Sequence, residues 1–101
     1  MNKIKSYLGL SRKSNSVVIG QDRLKEYSKK VFVLVISPTA TKNLKDLALR
    51  LKSKFNCPLI ETKENLEDII SMVGCKIVGL TMESLAKAVL EQNNDYKEIK
   101  E

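Results

Sequence analysis

Six consecutive apolar residues, Val31–Ile36, form an uninterrupted run in this chain. A strand with one face in water alternates apolar and polar residues, whereas a strand covered on both faces is apolar throughout. The run is rich in β-branched and aromatic side chains, and Pro38 follows closely, so a strand is favoured over a buried helical segment. The pattern predicts a central strand with helices on both faces of its sheet.

The clearest helical pattern covers Lys42–Phe55, with Thr41 as a suitable N-cap and Asn56 as a residue that tolerates a left-handed helix end. Its apolar positions recur at intervals of three and four: Leu44, Leu47, Ala48, Leu51 and Phe55. This spacing predicts an amphipathic helix with one face on the sheet.

Weaker patterns predict the remaining elements. In chain order they are a helix over Asn2–Asn15, a strand over Val17–Ile19, a helix over Gln21–Lys30, a strand over Cys57–Glu61, a helix capped by Thr62 with Leu66, Ile69, Ile70 and Val73 on its apolar face, a strand over Ile77–Leu80, and a last helix with Leu85, Ala88 and Val89. Alternating helices and strands predict a three-layer α/β/α sandwich around a mixed four-stranded sheet. Residues 1–92 are expected to form this single domain, and residues 93–101 a polar, mobile tail.

Length and apolar content suit one globular domain of 101 residues. No apolar run approaches the roughly 20 residues that span a bilayer, and the first residues lack the apolar core of a signal peptide. Cys57 and Cys75 have no metal-ligand spacing, so buried free thiols are favoured over a disulfide. The expected location is the cytoplasm.

The sequence offers little catalytic chemistry. It contains no histidine, and its four glycines stand apart rather than in a phosphate-binding loop. The carboxylates of Glu64, Glu67 and Asp68 fit a solvated helix surface. We therefore expect no enzymatic activity, no cofactor and no metal.

Charge is distributed unevenly along the chain, whose net charge is +6. Residues 1–54 carry 13 Lys and Arg against 3 Asp and Glu, whereas residues 55–101 carry 5 against 9. Such asymmetry favours a surface that binds a polyanion, and nucleic-acid phosphate is the usual candidate. The alternative is that lysines simply cover solvated helix faces.

One turn is a candidate binding site. Gly20, Gln21, Asp22 and Arg23 lie where a predicted strand leads into a helix. A glycine allows close approach of a ligand, Asp22 offers an acceptor, and Arg23 offers donors to a base or a phosphate. The alternative is a plain turn glycine followed by an acid that stabilises the helix start.

Several segments resemble the ribosomal L-seven-Ae/L-thirty-e/Gadd family, and specifically its bacterial YlxQ-like branch. The segments that carry the resemblance are Ile4–Lys13, Val18–Gly20, Val33–Val35, Thr41–Asn43 and Thr62–Leu66, so it covers about residues 2–90. It implies a three-layer α/β/α sandwich and, as in the best-known members, binding of the kink-turn, an RNA bend built on sheared G·A pairs.

The resemblance also implies which loops contact RNA. These are the turn at Gly20, the loop after the central strand, and the loop over Val73, Gly74, Cys75 and Lys76. The predicted RNA-binding residues are Gly20, Gln21, Asp22, Arg23, Lys25, Lys29, Lys30, Ser37, Pro38, Thr39, Gly74 and Lys76.

The turn departs from the Gly-x-Asn-Glu-x-x-Lys pattern of strong kink-turn binders. Asp22, Arg23 and Glu26 replace the asparagine, the glutamate and the lysine, which should change the RNA that is recognised. One hypothesis is an RNA-binding, ribosome-associated protein whose partner is ribosomal or another kink-containing RNA. The other is a protein-interaction or self-associating module on the same fold.

Overall fold

Five helices and five strands alternate along residues 3–100, the part of the chain that this computed structural model describes. In chain order they are α1 (Lys3–Lys13), β1 (Val17–Ile19), α2 (Gln21–Glu26), β2 (Val33–Ile36), α3 (Lys42–Phe55), β3 (Leu59–Thr62), α4 (Leu66–Ile70), β4 (Ile77–Leu80), α5 (Glu83–Leu90) and β5 (Tyr96–Glu98). The strands form one mixed sheet in the order β1-β4-β2-β3-β5, in which β2 and β3 are parallel and the other neighbours antiparallel.

The apolar run supplies the middle strand of this sheet, as predicted. All four side chains of β2 are fully buried. Val33 and Val35 belong to one apolar cluster, whereas Leu34 and Ile36 belong to the other. Successive strand residues point to opposite faces, so a strand covered on both faces has no polar positions. The strand begins at Val33, two residues later than predicted.

The two clusters define the two outer layers. One joins α1, α4 and α5 to the sheet, and the other joins α2 and α3 to the opposite face. The protein is therefore the predicted three-layer α/β/α sandwich. Cys75 lies in the first cluster and Cys57 in the second, and both are buried free thiols. Burial raises the pKa of Cys57 to about 11 and also raises the pKa of Cys75.

Helix α3 has the predicted limits, and both of its ends are formed as expected. The Leu44 N–H donates to Thr41 Oγ1 (3.2 Å), and Asn56 adopts the left-handed conformation at φ 51°. No helix within residues 3–100 is long and apolar enough to cross a membrane.

The prediction of four strands is wrong, because the tail contributes a fifth. Strand β5 pairs antiparallel with β3, with Thr62 opposite Tyr96 and Ile60 opposite Glu98. The Tyr96 hydroxyl donates to the Leu90 carbonyl (2.7 Å), which ties this edge strand to the end of α5. The segment forms a strand through pairing rather than through an apolar pattern of its own.

Several element limits also differ from the predictions. Helix α2 ends at Glu26 rather than Lys30, because Tyr27 has extended backbone angles. Thr62 is the last residue of β3 and does not cap α4. Ser71, left-handed at φ 60°, ends α4, so Val73 lies beyond the helix and is 95% exposed instead of buried.

Candidate nucleic-acid interface

Three loops meet at one end of the sheet. Strand β4 runs antiparallel to β1 and to β2, so the start of β4 lies beside the ends of the other two. The Gly20 N–H donates to the Ile77 carbonyl (3.0 Å), and the Ser37 N–H donates to the Lys76 carbonyl (2.8 Å). The turns after β1 and β2 and the loop before β4 are thereby held side by side.

An open cleft of about 450 Å³ lies between these loops and α3, and we call it the loop cleft. Three cationic residues line it, Lys25, Arg50 and Lys76, and within residues 3–100 no Asp or Glu does. The other lining residues are Gly20, Gln21, Thr39, Thr41, Asn43, Leu44, Leu47, Gly74 and Ile77. The lining thus combines positive charge and hydrogen-bonding groups with a small apolar area.

Gly20 opens the loop cleft on the side of α2. Its backbone, at φ 95° and ψ 151°, lies in a region that is nearly restricted to glycine. Apart from Gly20 and its two chain neighbours, no described residue has an atom within 4 Å of where a Cβ would stand. Helix α2 has only six residues, so the positive charge here comes mainly from side chains and not from a helix dipole.

Two contacts fix α2 against the sheet. Gly79 has no side chain, which lets the buried Leu24 pack directly on β4; a Cβ on Gly79 would lie 2.8 Å from Leu24 Cδ2. At the other end of α2, Lys54 Nζ donates to the carbonyls of Leu24 (3.2 Å) and Lys25 (2.6 Å). Lys54 therefore completes the C-terminal end of this helix.

A chain of hydrogen bonds connects the loops after β2 and before β4. Lys76 Nζ donates to Thr39 Oγ1 (2.9 Å), and the hydroxyls of Thr39 and Ser37 are 3.0 Å apart. Ser37 is fully buried, and its Oγ accepts from the Leu66 N–H (3.3 Å). The structure therefore gives Ser37 a supporting position beneath Thr39.

Glu67 on α4 joins this network from outside the cleft lining. One carboxylate oxygen forms an ion pair with Lys76 Nζ (2.5 Å), and the other accepts from the Gly74 N–H (2.8 Å). The hydrogen bond from Lys76, and then that from Gly74, lower the pKa of Glu67, so its carboxylate is ionised at neutral pH.

Half of the predicted site residues line the loop cleft. They are Gly20, Gln21, Lys25, Thr39, Gly74 and Lys76. Ser37 lies beneath the cleft, whereas Asp22, in the first turn of α2, and Pro38, in the loop after β2, do not line it.

The structure does not bring the other three residues to the cleft. Arg23 lines a separate cleft of about 430 Å³ beside β1, together with Glu26 and Tyr27. Lys29 and Lys30 precede Phe32, whose N–H donates to the Leu80 carbonyl (2.8 Å) at the far end of β4. Lys30 Nζ lies 5.1 Å from the centre of the Phe32 ring. Lys29 and Lys30 therefore lie at the opposite end of the sheet from the loop cleft.

The contribution of α3 to the loop cleft was not predicted from the sequence. Asn43 and Arg50, both in α3, line the loop cleft although neither belongs to the three predicted loops. Asn43 and Arg50 are seven residues apart, so they share one helix face, and this spacing was available in the sequence. Which polar face of α3 borders the loops depends on tertiary packing.

No protein-family model and no curated protein matches this chain. It is similar to a solved structure from Bacillus halodurans C, that of a protein with unknown function, with a TM-score of 0.79 and 15% sequence identity. The match covers 94% of this chain and 100% of that one. At this identity the likeness shows the fold alone.

Proposed function

We propose that this protein binds structured RNA through the loop cleft, as an RNA-binding protein of the L-seven-Ae/L-thirty-e/Gadd type. The observation that carries the proposal is the meeting of Lys25, Arg50 and Lys76 in one cleft whose described lining has no carboxylate. Cations grouped in this way neutralise phosphates and release counterions, which is the main source of RNA affinity. The proposed activity is binding and not catalysis.

Structured RNA is favoured over a regular duplex by the shape and lining of the cleft. Bulges and loops expose unstacked bases, which proteins contact through hydrogen bonds and apolar or planar surfaces. Gln21 and Asn43 supply amide donors and acceptors in the lining, and the exposed Val73 lies on the loop that carries Gly74. Ribosomal RNA is the candidate that the family resemblance suggests.

The recognised RNA is proposed to differ from that of strong kink-turn binders. Arg23 and Glu26 carry charges opposite to the glutamate and lysine that those proteins have in this turn. Both residues line the cleft beside β1. An RNA lying across the start of α2 would therefore meet a different charge pattern on that side.

The first experiment measures binding of the purified protein to a bulged RNA hairpin as salt is raised from about 50 to about 200 mM. If two or three cations of the loop cleft each neutralise one phosphate, the slope of log K against log salt is about −1.4 to −2.7. Nucleic acid that co-purifies with the protein would support the proposal. It would be seen as a high ratio of absorbance at 260 to 280 nm, which falls when salt removes the nucleic acid. Absence of binding, or binding that salt leaves unchanged, would contradict the proposal and favour the protein-interaction module.

A further inference from the structure

Glu67 has an unusual position relative to the proposed RNA site. It contacts the loop cleft through Lys76, while its own side chain lies outside the lining. A lysine ammonium has three N–H donors, and two of those of Lys76 already bond to Glu67 Oε1 and Thr39 Oγ1. One donor is left for a ligand, beside an ionised carboxylate.

We propose that Glu67 is a built-in counter-ion that competes with RNA phosphate for Lys76 and so limits the affinity of the loop cleft. The inference rests on the proposed function, since the phosphate is that of the bound RNA. In the free protein the carboxylate neutralises one of the three cations, which leaves Lys25 and Arg50 as the charges that attract RNA. A phosphate that reaches Lys76 either displaces Glu67 or is repelled by it.

The same carboxylate also positions the loop before β4. Glu67 Oε2 accepts from the Gly74 N–H, and Gly74 has a left-handed backbone at φ 83°. Removing the whole side chain would therefore change loop geometry and charge together. Glu67→Gln separates the two effects, because the amide oxygen still accepts from the Gly74 N–H while the negative charge is lost.

The test compares wild type, Glu67→Gln and Asp68→Asn in the salt titration with the bulged hairpin. Asp68 is exposed on the same helix, and its replacement changes the net charge by the same amount. We expect Glu67→Gln to bind about threefold or more tightly than Asp68→Asn, the size of effect that a single surface charge pair produces. Because Lys76 becomes available to phosphate, the salt slope should steepen by about 0.7 to 0.9.

The double variant Glu67→Gln/Lys76→Gln identifies the group through which Glu67 acts. The gain should disappear in this variant, because the competition is for the ammonium of Lys76. Thermal unfolding of each variant checks that the fold is intact. If wild type binds and Glu67→Gln matches Asp68→Asn or binds more weakly than wild type, the counter-ion role is wrong while the proposed function stands. If wild type does not bind RNA, both fail.

Discussion

Gly20 illustrates how a single residue contributes to the site through its backbone. Its φ of 95° directs the chain from β1 into α2, and its missing side chain leaves the loop cleft open. The sequence indicated a glycine at which a ligand could approach closely. The positive φ is a separate reason for glycine, and its value depends on the turn geometry, which the residue pattern does not specify.

We predict opposite effects of two Gly→Ala substitutions on stability. Gly20→Ala should lower the free energy of unfolding by about 1–3 kcal/mol, because alanine is strained at this φ and ψ. Gly9→Ala lies within α1, and apart from its chain neighbours and the helix backbone no described atom is within 4 Å of the added Cβ, so it should raise the free energy of unfolding by about 0.5–1 kcal/mol. Chemical denaturation measures both, and a neutral Gly20→Ala would show that the turn is not strained.

At the scale of the elements, the limits of α3 follow from its local sequence pattern, whereas the end of α2 is determined by a tertiary contact. Helix α3 has a strong apolar face and both end signals in its own sequence, so its limits were predicted correctly. The pattern of α2 continued to Lys30, but the helix ends at Glu26, where Lys54 from α3 satisfies its last carbonyls. That donor is distant in sequence, so no local pattern could indicate it.

Strand β5 and the exposed Val73 also differ from what the local sequence pattern predicts. Strand β5 is polar, and its formation depends on the free edge of β3. Val73 follows the helical spacing of α4, but the left-handed Ser71 ends the helix first. Spacing alone does not predict where a short helix ends, since five residues contain little more than one turn.

Gly79→Ala should reveal how closely α2 must approach the sheet. The new Cβ would lie 2.8 Å from Leu24 Cδ2 and 3.0 Å from Val31 Cγ1, both in fully buried side chains. We expect a loss of about 1–3 kcal/mol of unfolding free energy, as for other overpacked cores. Weaker RNA binding should accompany it, because Lys25 moves with the helix. If the variant has the same free energy of unfolding as wild type, α2 can move away from the sheet without destabilising the fold, and the prediction is wrong.

At the scale of the whole molecule, the charge asymmetry of the sequence maps only partly onto the two faces. Helices α2 and α3 together carry seven Lys and Arg against three Asp and Glu, and they share one face of the sheet. Helix α1 is also basic but lies on the other face, with α4 and α5. The basic residues of the first half of the chain are therefore divided between the two faces, and which of them meet at the loop cleft depends on the fold.

The separation of the basic residues provides the most direct test of the central claim, that RNA binds at the loop cleft. The double variants Lys25→Glu/Arg50→Glu and Lys29→Glu/Lys30→Glu change the net charge equally, but only the first pair lines the cleft. The four residues of β4 span about 10 Å, which is about one Debye length in 0.1 M salt, so charges at the far end of this strand are partly screened from the loop cleft. Affinity for the bulged hairpin, measured by fluorescence anisotropy, should fall about tenfold or more for the cleft pair and about twofold or less for the other pair. Equal losses, or a larger loss for Lys29→Glu/Lys30→Glu, would contradict RNA binding at the loop cleft.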